Sequence, residues 1–164
     1  MAKLQILISM IAGGKTTYSK RAADKGIICV NDDAIVTMLH GGNYTSYNKE
    51  LKVLYKAIEH TIIEVGVALN KTILIDRGLN ISMRARKRYL AIADSLDIEC
   101  EALWLPNLGP HYHAEARFKK ENRGHSLEYW EKVSRYHDLI WKEPELSEGF
   151  SKIVRLERDC EVVI

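Results

Sequence analysis

The sequence predicts an α/β fold, in which a doubly wound parallel sheet is covered by helices on both faces. Short, continuously apolar segments alternate along the chain with segments of helical periodicity, as is typical of parallel strands that are buried on both sides. The 164 residues contain no internal repeat and no linker rich in proline, serine or glycine. We therefore expect one domain that spans residues 1–164.

The predicted elements follow one another in regular order. We expect strands at residues 4–9, 26–30, 71–76, 98–105, 152–156 and 161–164. We expect helices at residues 15–24, 48–69 and 82–96, and a charged helical stretch at 110–140 that is broken near 122–124. Ligands of such sheets bind beyond the carboxyl ends of the strands. The polar residues that follow the first three strands should therefore converge on one crevice.

Composition excludes several classes of protein. No apolar run reaches the ~18 residues of a membrane span, and the apolar start of the chain is too short for a signal peptide and is interrupted by glycines and Lys15. The three cysteines, Cys29, Cys100 and Cys160, lie far apart and fit thiols in a reducing cytoplasm. The net charge of +2 is too small to indicate a nucleic-acid partner by itself. We expect a cytoplasmic protein with no membrane partner.

Residues 9–16, SMIAGGKT, carry the strongest motif. They match the phosphate-binding pattern G-x-x-x-x-G-K-[ST] at every fixed position except the first, where Ser9 replaces glycine. A strand precedes this phosphate turn and a helix follows it, so backbone N–H groups and the helix N-terminus can both face an anion. The expected nucleotide-binding residues are Ala12, Gly13, Gly14, Lys15, Thr16 and Thr17. If the first position required a positive φ, Ser9 would cost about 1 kcal/mol. The alternative is a chance GGKT at a helix start, with Lys15 and Thr16 solvated.

Carboxylates stand at the ends of the next two predicted strands. Asp32 and Asp33 follow the second strand, where Asp32 could accept the proton of an attacking hydroxyl. The alternative is a helix cap, formed by Asn31 or Asp32. Asp76 ends the third strand and could bind Mg²⁺ directly or through water, or it could simply accept a bond from a loop N–H.

Together these motifs resemble the P-loop kinase family that includes the 5′-polynucleotide kinase domain of phage end-healing enzymes. The matching segments, spread over nearly the whole chain, are residues 9–16, 31–33, 74–80 (LIDRGLN), 117–124 (RFKKENRG) and 144–150. The first segment is specific for nucleotide binding. The order of the others along the chain makes the combination typical of a kinase.

The resemblance implies roles for individual residues. Lys15 and Thr16 would hold phosphate and Mg²⁺, and Asp32 would be the general base. Asp76 would lie near substrate and metal. Arg123 would be a lid arginine over the donor phosphates, and Lys119 occupies the place of a second one, where lysine keeps the charge but loses the bidentate fork.

One position departs from the family. Members that act on nucleic-acid ends carry an arginine three residues after the base to grip the acceptor phosphate, and here that position is Ile35. The nearest candidates to replace this arginine are Arg77 and the basic run Arg84, Arg86 and Arg88. The alternative for the run is the solvated face of a helix.

The segment from residue 111 to 142 interleaves basic and aromatic residues. Residues 110–126 are predicted to form a lid that closes over the nucleotide. For the helix at 127–140, the spacing favours a solvated charged face, with Trp130, Val133, His137 and Ile140 in the core.

The sequence thus predicts a doubly wound P-loop kinase fold with a helical lid. The implied reaction is phosphoryl transfer from ATP or another nucleoside triphosphate, with Mg²⁺, to the 5′-hydroxyl end of RNA or DNA. Asp32, Asp76, Arg77 and Arg84 would contact the acceptor. The alternatives are a nucleoside, nucleotide or other small-molecule kinase, and a nucleotide-binding regulator with weakened catalysis. The sequence leaves open whether the protein forms a homo-oligomer.

Overall fold

The computed structural model describes residues 1–157, and the predicted strand at 161–164 and Cys160 lie outside them. Five parallel strands form one sheet in the order β2-β3-β1-β4-β5. They are β1 (Lys3–Ile8), β2 (Ile28–Asn31), β3 (Thr72–Asp76), β4 (Glu99–Trp104) and β5 (Lys152–Arg155). The doubly wound parallel sheet that the sequence predicts is confirmed.

Six α-helices connect and follow the strands in the described part of the chain. They are α1 (Lys15–Asp24), α2 (Asp32–Leu39), α3 (Lys52–Ala68), α4 (Met83–Ser95), α5 (Pro110–Lys120) and α6 (Leu127–Ile140). Short 3-10 helices are Tyr44–Ser46, Lys49–Leu51, Gly78–Ile81 and Leu146–Glu148. The predicted helix at 48–69 begins later, at Lys52, because a separate 3-10 turn capped by Asn48 precedes it.

Alternate residues of β1 face two different hydrophobic clusters, as the two-residue period of a strand requires. Leu4, Ile6 and Ile8 pack on one face with side chains of α3 and α4. Leu7 packs on the other face, with Ala22 of α1. Because both faces of the sheet are covered, residues 4–8 of β1 are apolar at every position except Gln5.

The carboxyl ends of β1, β2 and β3 lie side by side. Asp76 is in register with Leu7 on one side and with Asn31 on the other. The Asn80 amide reinforces this edge by donating to the backbone oxygens of Leu7 (3.1 Å) and Ile75 (3.0 Å). The phosphate turn, Asp32 and Asp76 therefore start from one edge of the sheet, as predicted. No helix within residues 1–157 is long and apolar enough to cross a bilayer.

Candidate active site

A cavity of about 550 Å³ lies beyond these strand ends, between the phosphate turn and the helices α5 and α6. It brings together most residues that the sequence singles out: Ala12, Gly13, Gly14, Lys15, Thr16, Asp32, Asp76 and Arg123. Thr17, Lys119, Arg77 and Arg84 are not among its lining residues. The strand ends converge on one crevice, as predicted, but these four predicted site residues do not line it.

The phosphate turn is shaped by backbone conformations at Ala12 and Gly14. Gly14 has φ 107° and precedes α1, and Ala12 has φ 50°. Ser9 does not have a positive φ, so the condition under which serine would be strained at this position is not met. Ser9 is instead fully buried, with its hydroxyl donating to the Met10 carbonyl (3.0 Å). A side chain at position 13 would clash with the Ser9 hydroxyl, which explains why this position is a glycine.

Lys15 is folded back into the phosphate turn. Its Nζ donates to the carbonyl oxygens of Ser9 and Met10, both at 3.0 Å. Burial lowers the pKa of Lys15, and the nearby charge of Arg117 lowers it further, against the carboxylates of Asp76, Asp32 and Asp33. No carboxylate within residues 1–157 forms an ion pair with Lys15. A shielded cation without a counter-ion favours an incoming anion, and it is not the solvated lysine of the chance-motif alternative.

Asp32 is not the cap of α2. The Asn31 side chain accepts from the Ala34 N–H (2.9 Å) and is the cap, so Asp32 lies in the first turn of the helix. The Arg77 Nε donates to Asp32 Oδ2 at 3.0 Å, and the Asp33 N–H donates to Oδ1 at 3.1 Å. Burial raises the pKa of Asp32, and Asp33 raises it further, while Arg77 opposes the rise. The carboxylate is therefore more basic than an ordinary aspartate, which suits a proton acceptor.

Asp76 is buried at the end of β3 and faces α1. The Ser19 hydroxyl donates to its Oδ2 at 2.8 Å, so the alternative of a bond to a loop N–H is not what is seen. Its Oδ1 makes no hydrogen bond within residues 1–157. The described residues hold no group of three or more metal-binding side chains. One carboxylate and the Thr16 hydroxyl fit Mg²⁺, which keeps waters and takes its remaining ligands from phosphates.

Of the two predicted lid cations, Arg123 lines the cavity and Lys119 does not. Arg117 and Lys120, three residues apart on α5, line the cavity. Lys119 lies on another face, is 74% exposed and pairs with Glu115 (3.3 Å). Arg123 crosses the crevice to Asp33 at 3.5 Å. The spacing from Arg117 along the helix could have predicted that Lys120, and not Lys119, faces the cavity.

The aromatic wall of the cavity is formed by residues of α6 that the sequence predicts for the core. Trp130 is buried and Ile140 packs against the core, as predicted, whereas Val133 and His137 are half-buried. Trp130, Val133 and His137 also line the cavity. Trp130 also lies under the Arg117 guanidinium, with 4.9 Å from Arg117 Cζ to the ring centroid. His137 Nδ1 is buried without a hydrogen bond within residues 1–157. Burial, reinforced by the charge of Lys15, lowers the pKa of His137 to about 4.

His113 of α5 fixes the phosphate turn, and sequence reasoning missed it. Its Nδ1 is 2.9 Å from the Ile11 carbonyl oxygen, and the Leu108 N–H donates to its Nε2 at 3.1 Å. Since an N–H can only donate to an unprotonated nitrogen, Nδ1 carries the proton and the ring is neutral. Burial lowers the pKa of His113, which maintains this state.

The basic run of α4 divides into three environments. Arg84 is exposed and lines neither this cavity nor a smaller one beside Asp32. Arg86 is fully buried and binds Glu148 through Nε (2.8 Å) and NH2 (2.6 Å). Arg88 pairs with Glu59 at 2.8 Å. The expectation that this run contacts an acceptor is therefore wrong for Arg86, which is structural, and Arg84 lies outside the site.

Comparison with known proteins places these features in context. The family profile described as an AAA domain matches residues 4–132. Kti12 from Chaetomium thermophilum, solved with ADP-AlF3, has a TM-score of 0.65 at 13% sequence identity, covering 96% of this chain and 90% of Kti12. A gluconokinase from Sinorhizobium meliloti has a TM-score of 0.57 at 13% identity, covering 94% and 82% of the two chains. A sugar kinase from Janibacter sp. has a TM-score of 0.55 at 18% identity, covering 96% and 86%. No curated protein matches the sequence.

Proposed function

The chain belongs to the AAA domain family and has a P-loop kinase-like fold, and on that premise we propose that it is a kinase. It would transfer the γ-phosphoryl group of ATP, or of another nucleoside triphosphate, to a hydroxyl acceptor in the cytoplasm. The observation that carries the proposal is that one cavity holds an unpaired, shielded lysine in a phosphate turn together with a carboxylate of raised pKa, Asp32.

The donor side would bind phosphate mainly through the backbone. The N–H groups of residues 12–14 and the N-terminus of α1 face the donor phosphates, and Lys15 moves from its carbonyl partners onto them. Arg117, Lys120 and Arg123, from the lid at residues 110–126, would neutralise charge on the transferred group. Thr16 and Asp76 would hold Mg²⁺, which would neutralise negative charge on the donor phosphates when bound.

Asp32 would act on the acceptor. Its Oδ takes the proton of the acceptor hydroxyl as that oxygen forms a bond to the γ-phosphorus and the bond to the β-phosphate oxygen breaks. The electron pair of the broken bond leaves with the nucleoside diphosphate, and the proton on Asp32 then passes to solvent. Arg77 holds the carboxylate in position.

We favour a small-molecule hydroxyl as the acceptor. Within residues 1–157 the basic run offers a polynucleotide no unpaired cation at the site in place of the arginine missing at position 35. Arg86 is buried, Arg84 lies outside both this cavity and a smaller one beside Asp32, and Arg88, which lines the smaller one, pairs with Glu59. The 5′-hydroxyl end of RNA or DNA is the second candidate. It is supported by the resemblance to phage 5′-polynucleotide kinases and by Arg77, which contacts Asp32.

Label transfer tests the proposed function. The protein is incubated with γ-labelled ATP, Mg²⁺ and a panel of sugars, sugar acids, nucleosides, nucleotides and 5′-hydroxyl oligonucleotides. We expect label on at least one hydroxyl acceptor and loss of that transfer in Lys15→Ala. Binding of ATP with no transfer to any acceptor would overturn the kinase and favour a nucleotide-binding regulator.

A further inference from the structure

A second, smaller cavity adjoins the first beside the proposed base. Its volume is about 90 Å³, and Asp32 and Asp33 line both cavities. One wall is apolar, formed by Ile35 and Val36 of α2. Because the two cavities share Asp32, a molecule seated in the second can present an atom to that carboxylate while a nucleotide occupies the first.

The aromatic and charged groups of this cavity come from segments far apart in the sequence. Tyr47 and Tyr55 pack with 5.5 Å between ring centroids, and Tyr55 is held by a 2.8 Å hydrogen bond to His40. Glu59, on the floor, accepts from the Tyr89 hydroxyl and pairs with Arg88 (2.8 Å). The floor is thus already ordered by internal hydrogen bonds and an ion pair.

The charges of this cavity do not cancel. Arg77 pairs with Asp32 and Arg88 with Glu59, and Asp33 pairs with Arg123, which lines the first cavity and not this one. Two further cations, Lys52 and Lys56, line the same cavity. They stand one turn apart on the same face of α3, and neither has a hydrogen bond or ion pair within residues 1–157. Two lysines without counter-ions at the rim favour a ligand that carries negative charge.

The size of the cavity limits what can enter. A volume of about 90 Å³ is smaller than the ~150 Å³ cavity that takes up benzene in another protein. The space suits a hydroxymethyl or similarly narrow group. The rest of such a molecule would remain at the rim, where Lys52 and Lys56 are exposed.

We propose that this cavity, the acceptor pocket, receives the hydroxyl end of a small anionic alcohol, whose phosphate or carboxylate group is held by Lys52 and Lys56. The inference rests on the proposed function, because Asp32 gives the pocket its role. The alcohol O–H gives its proton to Asp32, its oxygen bonds to the γ-phosphorus of the nucleoside triphosphate, and the diphosphate leaves with the electron pair. Ile35 is then an apolar wall, and the cations come from α3.

Paired probes test the preference for negative charge. Transfer from γ-labelled ATP is measured with glycerol and glycerol 3-phosphate, with glucose and gluconate, and with a 5′-hydroxyl decanucleotide. At least one small anionic member should be phosphorylated about 10-fold or more better than its neutral partner, since hydrogen bonds to charged groups are the strong ones. The phosphate and carboxylate pairs distinguish the two kinds of anion. Equal or better transfer to the neutral partners, or transfer to the decanucleotide alone, would overturn the acceptor pocket while leaving a kinase.

Variants then locate the anion. The double variant Lys52→Gln/Lys56→Gln should raise the KM for the preferred anion about 10-fold or more. The matched control is Lys71→Gln/Lys87→Gln, which removes the same charge from two exposed lysines that line neither cavity. An equal rise in both double variants would mean a diffuse charge effect and would overturn the proposal.

A binding measurement separates this proposal from the kinase itself. Saturating glycerol 3-phosphate or gluconate should protect Lys52 and Lys56 from acetylation, measured by mass spectrometry, and should leave Lys71 and Lys87 reactive. Protection without transfer would support the acceptor pocket and contradict the kinase. Transfer to a small anion without protection would support the kinase and contradict this pocket, and absence of both would contradict both.

Discussion

The two halves of the site are built in different ways. The donor half is one continuous stretch, residues 9–16, in which backbone N–H groups and a single lysine face the cavity. The acceptor half consists of side chains from separate elements: Asp32 from α2, Arg77 after β3, Glu59 from α3 and Arg88 from α4. Lys15, the one charged residue of the donor half, forms no ion pair within residues 1–157, whereas these four residues of the acceptor half form two ion pairs, Arg77–Asp32 and Arg88–Glu59.

This difference indicates a division of labour. Backbone donors bind any phosphate, so the donor half supplies affinity for a nucleoside triphosphate with little dependence on neighbouring side chains. The acceptor half depends on two linked sets, in which Arg77 binds Asp32, and Glu59 accepts from Tyr89 and pairs with Arg88. Changes there should alter turnover and acceptor choice and leave donor binding intact.

The largest effect is expected from Lys15→Ala. This variant removes the cation of the phosphate turn, so phosphoryl transfer should fall by about 10³-fold or more. Lys15 makes only two hydrogen bonds to carbonyls and no ion pair, so the thermal unfolding midpoint should stay close to that of the wild type. Lys20→Ala, an exposed lysine of the same helix, is the control. Near-normal turnover in Lys15→Ala would end the assignment of the donor half.

Arg77→Gln should produce the next effect, confined to the acceptor half. Loss of the bond to Asp32 Oδ2 should lower kcat about 10-fold and leave the KM for ATP unchanged, since charge-assisted hydrogen bonds contribute a few kcal/mol at most. Arg77 lowers the pKa of Asp32, so its removal should move the acid limb of the pH–rate profile to higher pH. Arg84→Gln, outside both cavities, should move neither. An unshifted acid limb would show that Arg77 does not position the base.

The sequence predicts the donor half far better than the acceptor half, and the reason is physical. A phosphate turn is local, so strand, turn and helix can be recognised within residues 4–24, and the parallel sheet follows from alternating apolar segments. Asp32 and Asp76 could be placed because strand ends of a parallel sheet share one edge. Lys52, Lys56 and Glu59 could not, because nothing in their spacing tells which crevice α3 faces.

The errors have equally local causes. The family resemblance predicts Lys119 as a lid cation, whereas its position on the helix turns it to solvent and brings Lys120 to the cavity. The basic run predicts that Arg86 lies on the surface, but its guanidinium is bound by Glu148 and two carbonyls inside the protein. His113 has no sequence signature, because its partners are backbone atoms, those of nearby Leu108 and of Ile11 in the distant phosphate turn.

His113→Phe should loosen the donor half by a smaller amount. An aromatic ring is kept, but the Ile11 carbonyl and the Leu108 N–H lose their partner, which should cost about 2 kcal/mol of unfolding free energy. The KM for ATP should rise a few-fold, because Ile11 belongs to the phosphate turn. His111→Phe, on the exposed surface of the same helix, is the control. A KM for ATP equal to that of wild type would show that the turn does not need this bond.

The smallest effect concerns pH and stability. Burial and the charge of Lys15 lower the pKa of His137 to about 4 in the folded protein, against ~6.5 in the unfolded chain. Between these values the unfolded chain binds a proton that the folded protein does not, so stability should fall as pH drops below ~6.5. In His137→Gln the decline of the unfolding midpoint between pH 7 and 5 should be shallower, whereas His60→Gln, on the outer surface of α3, should follow the wild type. Identical declines in all three proteins would contradict this origin.

The most direct test of the proposed kinase mechanism is Asp32→Asn, because Asp32 lies where the donor half and the acceptor half of the site meet. Asparagine keeps the shape and polarity of the side chain, and α2 keeps its cap because Asn31 supplies it. Label transfer from γ-labelled ATP to the best acceptor and the Kd for ATP are measured on the same preparation, with Asp94→Asn, exposed on α4, as the control. Label transfer should fall about 100-fold or more, since the proton acceptor is lost. The Kd for ATP should be unchanged. An Asp32→Asn protein that transfers phosphate at the wild-type rate would contradict the proposed mechanism.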